Sequence, residues 1–221
     1  MIASLLPHVK KGDIIIDGGN SYFEDSIRHY NELKKKGIYF LDCGTSGGMG
    51  GARHGACMMV GGDKEIFQKV EVLFKDMCVK EGYGYMGTAG AGHFVKMVHN
   101  GIEYGMMQAI AEGMQAVKNA SFGTDVKTAI NVYAHGSIVQ SRLVDWLKEA
   151  YAEGLVDKVE GTVPKGETEE ESEQLEGLAE MPVLHTARLE RVETRKKPSY
   201  AGKLLAAMRF KFGGHKVVEK G

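Results

Sequence analysis

Lys96, His99, Asn100 and Glu103 fall at i, i+3, i+4 and i+7 within GTAGAGHFVKMVHNGIEYG, residues 87–105, a stretch free of proline. On a helix, about 100° per residue puts all four on one face. Lys96 and Glu103 are then separated by roughly 10 Å of rise, so two long side chains can converge on opposite sides of one small substrate. A lysine of lowered pKa acting as general base and a glutamate acting as general acid make a workable pair. Lys and Glu seven apart also describe a solvated stripe. The chemical reading is favoured by the rest of the wheel, where Val95, Val98 and Ile102 supply apolar packing while the polar face carries an amide and an imidazole.

Such a helix needs a frame, and the residues before it alternate in period. Asp13–Asp17 is a short β-branched run that ends in Gly18-Gly19-Asn20-Ser21, a buried strand feeding a loop at its carboxyl end. Open α/β sheets bind ligands in loops so placed, although Asn20 and Ser21 equally suit caps for a helix over about 23–36. A second strand, 39–43, runs into Gly44-Thr45-Ser46-Gly47-Gly48, with Gly50 and Gly51 beyond. Glycine at this density lets backbone amides approach an anion, while a flexible loop is the simpler reading. A strand at 56–60, a helix at 64–77 and a strand near 79–83 complete an α/β alternation.

From residue 93 the pattern turns helical: 93–119, 125–134 and 137–151. Met106, Met107, Ile110, Met114 and Val117 recur at helical spacing, as a core or subunit-interface stripe does. Residues 152–180 are the least legible, and six glutamates between 167 and 176 describe a solvated helix face or a mobile loop. The expected architecture is an α/β portion, an incomplete Rossmann-like doubly wound sheet over 1–86, followed by an all-α domain over 87–221.

Composition narrows the function. A net charge of −1 with Lys and Arg dispersed gives no electrostatic footprint for nucleic acid. The opening MIASLLPHVKKGD is too short and too broken by Pro7 for a signal peptide, and no run of 18 apolar residues suggests a membrane partner; the chain reads as cytoplasmic. Cys43, Cys57 and Cys78 are odd in number and lack ligand spacing, so they read as buried free thiols, with no metal site.

HFVKMVHNGIEYG at 93–105, GTSGG at 44–48 and FGGH at 212–215, in that order, resemble the decarboxylating 6-phosphogluconate dehydrogenases, in particular their shorter bacterial branch. The likeness covers most of residues 1–146 and returns over 182–218. It implies an enzyme of the pentose phosphate pathway and gluconate utilisation, using NADP or NAD, with 6-phosphogluconate as substrate and a homodimer or larger assembly. By the same likeness Lys96 is the base and Glu103 the acid. Ser46, Gly47 and Gly48 cradle the sugar acid, His99 and Asn100 position it, and Tyr104, Arg188, Arg209 and His215 hold its phosphate, the last two from a partner subunit. Asn20 lies between cofactor and substrate. The family places a basic residue near a glycine-rich turn where this chain has Gly166, with Lys165 one position away.

The family also opens with a glycine fingerprint for the dinucleotide, and nothing in these residues plays that part. The 221 residues as they stand are therefore expected to bind neither NAD nor NADP at millimolar concentration. Two other functions follow from the same residues: a truncated, non-catalytic fragment that binds a sugar phosphate or a subunit, and another β-hydroxyacid dehydrogenase. Glu103 argues against the latter, because an acid for an enediol is needed only after decarboxylation.

Overall fold

Residues 2–218 are described by the structure, a computed structural model. They divide inside one long helix into units 1–99 and 100–221.

In the first unit a short helix α1 (Ile2–Leu5) and a 3-10 turn (Leu6–His8) precede β1 (Ile14–Asp17). Then follow α2 (Phe23–Lys34), β2 (Tyr39–Ser46), α3 (Gly48–His54), β3 (Ala56–Gly62), α4 (Lys64–Met77) and β4 (Cys78–Gly87). The described strands form one sheet in the order β1-β2-β3-β4. Each helical crossover, α2 and α4, joins a parallel pair, Ile14 beside Tyr39 and Met59 beside Gly84, as a parallel connection requires. Between the two pairs β2 and β3 run antiparallel, Ser46 opposite Cys57, with α3 as their connection. The sheet is thus mixed, two βαβ units set head to tail.

Buried Leu41, Cys43 and Val60 from the strands pack with Ile66, Phe67 and Phe74 of α4. Ile66, Phe67, Val70 and Phe74 fall on one face of that helix, and burying each such side chain stabilises the unit by about 1.5–3 kcal/mol. A second cluster, Leu33, Ile38 and Phe40, lies with Tyr30 and Ile15.

Several expectations change here. Residues 44–46 are strand and 48–54 helix, so the glycine-rich segment is largely ordered structure and not a loop. Tyr22, not Asn20 or Ser21, is the residue before α2, and it makes no side-chain cap; Ser21 Oγ instead donates to Asp17 at 2.8 Å. Of the cysteines only Cys43 is buried, Cys78 being partly exposed and Cys57 exposed.

The long helix α5 (Ala91–Asn119) is shared by the two units. The second unit continues with α6 (Val126–Tyr133), α7 (Arg142–Ala152), α8 (Leu155–Lys158), α9 (Glu167–Glu176), α10 (Pro182–Glu193) and α11 (Tyr200–Gly213). Its described elements are all helices, as the periodicity over 93–151 predicts. Asp125 caps α6, accepting from Thr128 N at 2.9 Å, and Ser199 caps α11, accepting from Gly202 N at 3.0 Å. Helix α7 starts at Arg142, not near 137, because Ser141 turns inward to accept from Val144 N. Met107 and Met114 are buried with Ile130, Leu147, Leu204 and Met208 in one core, while Met106 is exposed. The stripe is therefore mainly core. Ile102, expected to pack, is 53% exposed.

Candidate active site

The first unit assembles its polar groups by bringing backbone against backbone. A Cβ on Gly44 would meet the Lys96 Cβ, and would lie 2.7 Å from Gly92 O. One on Gly92 would meet Met59 O, and would lie 2.6 Å from Asp42 O and 2.8 Å from Gly61 N. Side chains at 44 and 92 would push α5 off the sheet, so the glycines seat its first turn directly on β2 and β3. Asp42, fully buried, accepts from Gly90 N at 2.7 Å and His93 N at 2.9 Å. A carboxylate at a helix start answers both its orphan amides and its dipole.

That seating puts Lys96 beside the end of β2. His99 Nε2 lies 3.1 Å from Ser46 Oγ, and His99 Nδ1 lies 3.4 Å from Lys96 Nζ. An ammonium on Lys96 donates to Nδ1, which leaves Nε2–H to donate to Ser46; a neutral amine accepts from Nδ1–H, and Ser46 then donates to Nε2. The three groups thus accommodate either charge state of Lys96, as a residue that takes up and releases a proton needs. Gly47 and Gly48, just past Ser46, both have positive φ, 126° and 58°, where a side chain would strain the backbone. Asn20 is exposed in the segment after β1, and β1 and β2 are parallel, so that segment and Ser46 lie toward the carboxyl ends of the two strands. His93, which sequence reasoning passed over, is buried with Nδ1 2.7 Å from Ser26 Oγ.

In the second unit charge does the assembling. Asn100 Nδ2 donates to Glu171 at 2.9 Å. Arg188 on α10 donates through Nε and Nη2 to Glu176, at 2.8 and 2.9 Å, and through Nη1 to Glu173 at 2.9 Å. These bonds hold the Glu176 carboxyl down at about 2, the fork from Arg188 being the main cause. Arg195 takes Glu169 with both terminal nitrogens. The acidic helix α9 is therefore not a loop, and three of its carboxylates, Glu169, Glu173 and Glu176, are counter-charges of Arg188 and Arg195.

Arg191, one turn beyond Arg188, is 5% exposed and stacks on Tyr104, its guanidinium carbon 3.4 Å from the ring centroid. Burial pulls it down to about 9, still a cation at neutral pH. Arg209 on α11 is equally buried and donates through Nη1 to Pro164 O at 3.0 Å. A Cβ on Gly166 would stand 2.8 Å from Arg209 Nη2, so glycine there leaves room for the guanidinium. Arg188, Arg191, Arg195, Arg209, Tyr104 and Gly166 line one pocket. Arg209 thus joins the arginine cluster of its own chain. His215, after the left-handed cap at Gly214, lies edge-on to Phe212 at 5.1 Å and is not in that lining. Lys165 is exposed and paired with Glu170 at 2.9 Å. Glu103 is half-buried on α5, between Asn100 and Tyr104.

Sequence reasoning named Arg188 and not Arg191 or Arg195, which line the same pocket. The i, i+3 spacing of Arg188 and Arg191 was the available signal, since it puts both on one face of α10, whereas Arg195 lies in the turn after that helix.

Known proteins resemble this chain in sequence and fold. Residues 1–87 match the NAD-binding domain of 6-phosphogluconate dehydrogenase, and residues 92–121 match the C-terminal domain of that enzyme. A Bacillus subtilis protein assigned by name as a 6-phosphogluconate dehydrogenase, YqeC, is 44% identical over 223 residues, covering 100% of this chain and 75% of its own. The chain belongs to the 6-phosphogluconate dehydrogenase family. A Haloferax volcanii relative, named as an NAD(+)-dependent, decarboxylating 6-phosphogluconate dehydrogenase, is 34% identical over 97% of this chain and 72% of its own. Among solved structures, Plasmodium falciparum 6-phosphogluconate dehydrogenase, determined in its apo form, with NADP+ and with 6-phosphogluconate, superposes with a TM-score of 0.77 at 31% identity. That match covers 89% of this chain and 46% of the other. The family is one of oxidoreductases that use NAD or NADP. Among the described residues no cluster of His, Cys, Asp or Glu could hold a metal, and no helix is long and apolar enough to cross a membrane.

Proposed function

We propose that this chain carries the catalytic residues of an oxidative decarboxylase that converts 6-phosphogluconate to ribulose 5-phosphate and carbon dioxide. The observation that carries the reading is the chain of contacts from Ser46 through His99 to Lys96. Lys96 takes the proton of the substrate's C3 hydroxyl, and His99, held by Ser46, orients the amine and shares the proton. The bound nicotinamide supplies the hydride acceptor. After carbon dioxide leaves the 3-keto acid, Glu103 protonates the enediol. Asn100 positions the sugar chain, and Ser46, Gly47 and Gly48 hold its acid end. Tyr104, Arg188, Arg209 and His215 serve its phosphate, for which the planar fork of arginine is suited.

For the cofactor, the exposed turn Gly18-Gly19-Asn20 beyond β1 fits the nicotinamide end, since such sheets bind ligands past the carboxyl ends of their parallel strands. Asn20 would hold it there. We assign residues 1–86 to the cofactor side and 87–221 to substrate binding and subunit association, in a cytoplasmic homodimer or larger assembly. Exposed Met106 and Ile102 on α5 support the association; light scattering showing a stable monomer at micromolar concentration would count against it.

Turnover tests the reading. In a version of the protein that also carries the family's dinucleotide-binding glycine turn, 6-phosphogluconate with NAD or NADP should yield reduced nicotinamide and carbon dioxide in equal amounts. Lys96→Met should abolish both while leaving substrate affinity within about tenfold, because the base acts in the transition state. A variant with rates near the parent would remove Lys96 from the mechanism.

A further inference from the structure

A second concavity of the helical unit, a groove of about 390 Å³, runs along residues 108–119 of α5 and is flanked by the end of α10 and the start of α11. That volume is within the range of small-molecule sites. Gln108, Glu112, Gln115 and Asn119 recur at helical spacing and line it along one face of α5, while Glu190 and Thr194 line it from α10. Its lining holds two exposed carboxylates, Glu112 and Glu190, and no lysine, arginine or histidine. Gln108 is only 7% exposed. Its Nε2 donates to Glu112 Oε1 at 2.7 Å, and because a carboxylate can only accept, this orients the amide and leaves its Oε1 buried with no partner. A buried acceptor left unmet is rare and costly, so this one calls for a donor. The backbone agrees on the sign of charge. Helices α5 and α10 both end at the groove, Asn119 being the last residue of one and Thr194 the C-cap of the other, and helix carboxyl ends favour cations. Helix α11 begins there, but its first amides are already met, Ala201 N by Gln115 Oε1 at 2.9 Å and Gly202 N by Ser199 Oγ at 3.0 Å. Little is left there for an anion.

We propose that this groove is a binding site for an aliphatic diamine or polyamine, whose ammonium groups are held by Glu112, Glu190 and the side-chain carbonyl of Gln108. An ammonium carries three donors and no acceptor, which suits a lining rich in unmet acceptors. Ala116 and Ala201 offer the methylene chain small apolar neighbours. A metal ion is the poorer occupant, because among the described residues no group of three His, Cys, Asp or Glu could hold one. The groove shares no lining residue with the arginine pocket, so the proposal is independent of the reaction assigned to the chain.

Calorimetric titration of the chain with 1,4-diaminobutane at low salt tests the site without turnover. Saturable binding in the millimolar range or tighter is expected, with tetramethylammonium, which has the charge but no N–H, about tenfold weaker or worse. Glu112→Gln and Glu190→Gln, both at exposed positions, should each weaken the diamine about threefold. Gln108→Leu should weaken it about tenfold and melt no lower than the parent, since a buried unmet acceptor goes with the amide. Should that variant fold poorly, the two glutamate variants still decide. The inference is overturned if no saturable heat appears below about 20 mM, if the double substitution of Glu112 and Glu190 by glutamine leaves affinity within about twofold, or if magnesium chloride at equal charge displaces the diamine as well as the diamine displaces itself. Light scattering covers the other source of an ammonium. If the parent self-associates, the double variant dissociates and neither binds the diamine, the groove holds a lysine of a second copy and the proposal falls.

Discussion

The two units solve the same problem, holding polar groups in a fixed geometry, by opposite means. In the first, glycines at 44, 61 and 92 let backbone meet backbone, and Lys96 is placed by exclusion of volume. In the second, carboxylates of α9 meet Arg188 on α10 and Arg195 just beyond it as charge pairs, and the pocket is placed by Coulombic attraction and hydrogen-bonded forks. Close packing is short-ranged and unforgiving, whereas charge pairs tolerate displacement and respond to protons and salt. The first unit should therefore fail by small steric insults, and the second by changes of solution condition.

The steric half breaks most sharply at Gly92. Gly92→Ala sets a methyl group against three backbone atoms, those of Met59, Asp42 and Gly61, none of which can rotate away. Chemical denaturation should show a loss of about 3 kcal/mol or more, the upper end for overpacking, and a loss under about 1 kcal/mol would show that α5 is seated less tightly than these contacts require.

Acid should reach the electrostatic half first. The Glu176 carboxyl falls from 4.5 to about 2 on folding, chiefly through the Arg188 fork. Because the folded value is the lower, its contribution is complete above about pH 4.5 and disappears as pH falls toward about 2. Stability measured down that window should drop by on the order of 2 kcal/mol through this group, and the drop should be absent in Glu176→Gln. An acid profile identical in that variant would break the contrast between the units.

The smallest effect belongs to Lys165. Its pair with Glu170 is exposed on both sides, 60% and 66%, and such pairs contribute little. Lys165→Ala should change stability by less than about 0.5 kcal/mol and leave 6-phosphogluconate affinity unaltered, as a repeat of the same denaturation and a calorimetric titration with 6-phosphogluconate will show.

The same contrast separates what is legible in the sequence from what is not. The strand Ile14–Asp17, the helix at 64–77 and the long helix from His93 are legible, because period and β-branching are local properties. So is the shared face of Lys96, His99, Asn100 and Glu103. What escapes are pairings at long separation: the antiparallel step at β2 and β3, Asp42 under the start of α5, and the arginine partners of the acidic run. Glu169, Glu173 and Glu176 look solvated until the arginines they answer are known. Glycine density at 44–51 also misleads, since Gly44 is there for the closeness of α5 and not for looseness of the chain.

Asp42 has one further consequence, which concerns phase. A helix is a screw, and sliding its register by one residue turns every side chain by about 100° and advances it by ~1.5 Å. Its two oxygens accept from residues three apart, Gly90 and His93, and so select one angular setting of α5. Lys96 comes only three residues later, before any bend along the helix can accumulate. The direction in which the amine points is thus written into a carboxylate that itself never meets solvent.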